Sequence, residues 1–124
     1  MNITPNFTLK EMLVGNEDYA LTVEELQNLK LLCNRLQVLR DLYGPITVNS
    51  GLRSHAYNEE VQKRYNSNYV PNSSKSYHLK GMAADIVFKE YTPDRIQKML
   101  FDWSGGLGSY STFTHVDIGP KRRW

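Results

Sequence analysis

Leu26, Leu29, Leu32, Cys33, Leu36, Leu39 and Tyr43 recur at three- and four-residue intervals and form one wide apolar stripe. That spacing predicts a long amphipathic helix. Thr22-Val23-Glu24-Glu25 supplies a capping box at its start, and Gly44-Pro45 ends it. A second box, Thr8-Leu9-Lys10-Glu11, opens a short helix behind Phe7, and Gly15 and Asn16 break it. Ile46 to Asn49 reads as a short strand that leaves through Ser50-Gly51, and a helix is expected from about Tyr57 to Tyr65. The Asn-, Ser- and Pro-rich run 66–75 predicts a loop. Ala83 to Phe88 is an apolar run of strand length. Thr92-Pro93-Asp94 starts another helix through Ile96, Met99 and Leu100 toward Trp103, which Ser104-Gly105-Gly106 ends. Leu107 to Tyr110 and Phe113 to Ile118 predict a hairpin. The expectation is a single α+β domain over residues 1–124, a small, mostly antiparallel sheet with flanking helices.

Composition narrows the function classes. A chain of 124 residues can bury one core. A net charge of +2 is too small to argue for nucleic acid, and the tail Lys121-Arg122-Arg123-Trp124 adds too few charges for a footprint. No apolar run approaches the ~20 residues needed to span a bilayer. Met1 to Asn6 has neither the basic start nor the apolar core of a secretory leader, so synthesis in the cytoplasm is expected. The single cysteine, Cys33, excludes an intramolecular disulfide and reads as a small buried hydrophobe.

The chemistry sits where polar residues interrupt apolar strands. Asp85 lies inside Ala83 to Phe88, and His78 precedes it by seven residues. His115 and Asp117 lie inside Phe113 to Ile118. A carboxylate in such a strand is costly unless a hydrogen-bonding partner or a metal compensates it. His78, Asp85 and His115 would make a three-ligand zinc site with a fourth position open to water. The same residue types also suit an Asp paired with an Arg and two structural histidines, so by themselves they leave both readings open.

Ser76-Tyr77-His78-Leu79-Lys80-Gly81-Met82-Ala83-Ala84-Asp85 matches S-x-H-x-x-G-x-A-x-D at every fixed position. The stretch resembles the signature of the zinc D-alanyl-D-alanine carboxypeptidase family, whose fold is shared with the hedgehog signalling domain. Ser50-Gly51-Leu52-Arg53-Ser54, with Asn58 after it, resembles the family's S-G-[YF]-R-S segment. Phe113-Thr114-His115-Val116-Asp117 resembles its H-x-D strand. The opening Asn6 to Met12 and the ending Arg122-Arg123-Trp124 look like its small phage and bacterial branch. The resemblance implies one zinc ion held by His78, Asp85 and His115. It implies that Arg53 holds a substrate carboxylate or the developing oxyanion, for which its fork is suited, and that Ser76 also contacts substrate. The implied activity is hydrolysis of peptidoglycan stem peptides or cross-bridges, of D-Ala-D-Ala carboxypeptidase or endopeptidase type, at the wall when released or delivered by phage; a monomer with no membrane partner is expected.

One position departs from the family pattern. Many members carry Glu, Asp or His three residues before the last histidine ligand, where this chain has Thr112. Asp117 is the nearest carboxylate in sequence and, two residues after His115, shares its face of an ideal strand. It is the expected catalytic base, or else a partner that orients a ligand histidine. His55 reads as a surface histidine. A zinc-bound binding or virion module without turnover is the alternative on the same fold.

Overall fold

A computed structural model describes all 124 residues. The chain begins with a small hairpin, β1 (Asn2–Thr4) and β2 (Phe7–Thr8), and the short helix α1 (Leu9–Met12). The long helix α2 (Val23–Tyr43) follows. Then come β3 (Ile46–Ser50), α3 (His55–Tyr65), a 3-10 turn at Tyr77–Lys80, β4 (Ala83–Phe88), α4 (Pro93–Met99), β5 (Gly106–Ser109), β6 (Thr114–Asp117) and β7 (Arg122–Arg123). The main sheet has the order β3-β4-β6-β5-β7. All its pairings are antiparallel except β5 with β7. The α+β plan is therefore the one expected.

Both predicted capping boxes form: Thr8 with Glu11 and Thr22 with Glu25 each exchange side-chain-to-backbone hydrogen bonds. They satisfy helix donors that would otherwise lack partners. The stripe on α2 buries Leu29, Leu32, Cys33, Leu36 and Leu39 against Val48, Ile86, Phe88, Leu107 and Val116 of the sheet, within one continuous core. Burial of each leucine contributes roughly 1.5–3 kcal/mol. No helix is long and apolar enough to cross a membrane.

Five elements depart from expectation. α3 starts two residues earlier than the expected Tyr57, because the Ser54 hydroxyl caps it by accepting from the Tyr57 amide. α4 ends at Met99, short of Trp103, which instead packs into the core and donates to the Asp117 carbonyl. The N-terminal hairpin and β7 were not expected; strands of two or three residues are too short to show a period.

Candidate metal centre and active-site cleft

Strand register does most of the assembly. Asp85 on β4 stands directly opposite His115 on β6, and Ser50 at the end of β3 stands opposite Asp85 on the other side. Cross-strand neighbours have Cβ atoms about 4.5–5.5 Å apart, so the side chains meet without long reach. His78 arrives from the 3-10 turn, whose start is capped by the Ser76 hydroxyl accepting from the His78 amide. The turn is tied to the β3 exit by the Arg53 amide donating to the His78 carbonyl at 2.9 Å. It closes at Gly81, which has φ +75° and lies so near α2 that a Cβ would fall 2.8 Å from the Glu25 carbonyl oxygen. Glycine therefore satisfies two demands at once, the left-handed backbone and the close approach.

Three ligand atoms converge. His78 Nε2 lies 3.3 Å and His115 Nδ1 2.9 Å from Asp85 Oδ1. The ligand atoms of this trio all lie within 4.8 Å of one another. Ligands about 2.0–2.2 Å from a tetrahedral zinc are separated by roughly 3.3 Å, so the spacing fits such an ion. The far nitrogens are already engaged: His78 Nδ1 with the Gly51 carbonyl at 2.7 Å and His115 Nε2 with Asp117 Oδ2 at 2.8 Å. Such outer contacts fix the tautomer and aim the inner nitrogen at a metal.

Electrostatics follow from this packing. Burial pushes the Asp85 carboxyl upward, but hydrogen bonds from His115 and His78 and their charge hold it well below the usual carboxylate range. For His115, burial favours the neutral ring, yet the Asp117 and Asp85 carboxylates raise its pKa above the ordinary value. Asp117 resists the upward push of burial through His115 and the Gly106 and Gly119 amides, and its pKa is lowered.

The trio forms the floor of an open cavity of about 740 Å³. One wall is α3, with Tyr57, Val61, Arg64 and Tyr65; the other carries Tyr110, Thr112, Phe113 and Trp124. Tyr110 stacks on Phe113 with centroids 4.5 Å apart, and the Trp124 indole N–H donates to the Tyr110 hydroxyl. Trp124 was read in the sequence only as part of the terminal motif, without a place in the site; the pairing of β7 with β5 brings it beside His115.

Arg53 and Ser76 also line the cavity. Arg53 is buried, with Nε donating to Ser50 Oγ, one terminal nitrogen to Asn58 Oδ1 and the other to Asp85 Oδ2 at 3.3 Å. Asp117 is brought to the same strand face as His115 but does not reach the cavity. It is 0% exposed and lies behind the His115 ring. It also accepts from the Gly106 and Gly119 amides and from both terminal nitrogens of Arg122. His55 is exposed and faces Asn72, and Asp102 is likewise exposed outside the cavity.

The sequence profile of the family described as Peptidase M15 matches residues 5–117, which include every residue of the trio. The chain belongs to the Peptidase M15 family. This M15 domain is also similar to the peptidoglycan L,D-endopeptidase MepK of Escherichia coli strain K12, with 39% identity over 93 residues. That alignment covers 73% of this chain and 49% of the relative. MepK proteins of Escherichia coli O157:H7 and Shigella flexneri match to the same extent. The chain spans about half the length of the curated relatives it matches.

Proposed function

We propose that the chain is a zinc-dependent peptidase acting on peptidoglycan, in the manner of an endopeptidase cutting stem peptides or cross-bridges. The observation that carries this reading is the convergence of His78 Nε2, Asp85 Oδ1 and His115 Nδ1 at the floor of an open cavity. Family membership and the likeness to MepK support peptide bonds of the wall as the target. Bound there, zinc would bring the pKa of a coordinated water to about 7 and polarise a carbonyl.

The protein's own groups prepare that chemistry. The Gly51 carbonyl and Asp117 orient the two rings, and Arg53 holds the second oxygen of Asp85. A guanidinium has five N–H donors, and three contacts here leave two to face a developing oxyanion. Ser76, on the same lining, is placed to contact the peptide. Asp117 acts here as a positioning residue for His115 and not as the base, because the ring stands between its buried carboxylate and the cavity. No acidic or imidazole side chain beyond the trio lines the cavity.

The test is amine release from purified stem peptides and walls by the zinc-loaded protein, against a chelated control and His115→Ala. Zinc-dependent release that vanishes in the variant is expected. One equivalent of bound zinc with no release from walls of several chemotypes would return the chain to a non-catalytic binding module.

A further inference from the structure

The cavity contains two arginines, and their situations are opposite. Arg53 is buried and tied to Ser50, Asn58 and Asp85. Arg64 is exposed and takes part in none of the five ion pairs, all of which converge on Asp85 or Asp117. Glu60, one turn earlier on α3, stands at the spacing of a helical pair, yet no ion pair joins the two. Tyr57, Val61, Arg64 and Tyr65 follow the spacing of one helix face, and all four line the cavity. The only acidic side chain in the lining is Asp85, which Arg53 already balances. The side chains of the lining therefore sum to a net positive charge before any divalent cation is added, and more so after.

We propose that Arg64 is the carboxylate-recognising residue of this cleft and that the preferred substrate is an anionic peptide with a free side-chain or α-carboxylate lying along α3. The proposal rests on the peptidase reading for the word substrate, but the subsite is defined by the charge and geometry of the α3 wall. An unpaired guanidinium offers a carboxylate two parallel hydrogen bonds. The flanking Tyr57 and Tyr65 rings give the peptide an apolar edge beside that contact. Arg53, with two N–H donors left over and set beside the trio, is left for the scissile carbonyl. The two arginines thus divide the work: one acts at the bond that breaks, the other reads the peptide's charge.

The probes are a stem tetrapeptide with its internal carboxylates free and the same peptide with them amidated. The C-terminus is amidated in both, so that the trio meets the same group. Both are titrated calorimetrically against the chelated protein, in which nothing is hydrolysed, and kcat/KM is measured for both with zinc. Wild type is expected to bind the carboxylate form about tenfold more tightly, the scale of a charge-assisted bidentate contact. Arg64→Gln should remove that preference with zinc content unchanged, and Arg64→Glu should invert it. Equal affinities in wild type, or a preference that survives in Arg64→Gln, would overturn the proposal. Absence of turnover with the binding preference intact would count against the peptidase reading and leave the carboxylate subsite standing.

Discussion

Asp117 shows how much a residue's role depends on which way its neighbour's ring faces. Sequence spacing correctly places it on the face of His115, yet spacing carries no information on depth. The structure buries it under five hydrogen bonds, including those from Arg122. Asp117→Asn should therefore act on the metal first, weakening zinc affinity by about 10–100-fold, the usual effect of removing an outer partner of a ligand. Competition with a chromogenic chelator measures this; unchanged affinity together with lost activity would restore Asp117 as the base. His78→Ala and His115→Ala should each lose stoichiometric zinc in metal analysis. Arg53→Ala would leave the largely buried Asp85 carboxylate without its guanidinium partner. Breaking a buried pair in this way costs about 3–5 kcal/mol, which denaturant melts of the metal-free protein would report. The three candidate ligands were legible because a ten-residue motif and a short strand carry them. Arg64 and Trp124 were not, because nothing local says that α3 and β7 face the same cavity.

At the scale of elements, the signals that could be read were the periodic and the punctuated ones. The α2 stripe, both capping boxes and the β4 run all form as the sequence indicated, each being local chemistry repeated over several residues. The 3-10 turn bearing His78 has no such period, and its position is set by contact with α2 through Gly81. Gly81→Ala should strain both the left-handed backbone and that contact, destabilising the fold by about 1–3 kcal/mol. Thermal melts check the loss, and chelator competition should show weaker zinc binding because the turn carries a ligand. On α2, burial, with the Glu11 charge adding to it, pushes the Cys33 thiol up to about 12. The thiolate is the reactive form, so Cys33 should resist thiol reagents at pH 8 in the native protein and react promptly in denaturant.

For the molecule as a whole, the metal and the fold should stabilise one another. The trio draws its ligands from two strands of the sheet and a turn packed on α2, so an ion held there ties those elements together. A ligand that binds only the folded state adds about 4 kcal/mol of stability at a thousandfold excess over its Kd. The melting temperature should accordingly rise with zinc and fall with chelator, with little change in His115→Ala. A melt insensitive to zinc in the wild type would remove the ion from the account.

The two imidazoles at the floor are held from opposite sides. His78 gives its Nδ1 to the Gly51 carbonyl and His115 its Nε2 to Asp117. The rings must then be frozen as different tautomers, one protonated at δ and the other at ε. Long-range nitrogen-proton spectra of the zinc form should show two unlike ring patterns, each with a slowly exchanging ring proton shielded from solvent. The pair is thus an internal compass: which nitrogen carries the hydrogen on each ring reveals from which direction the protein grips it.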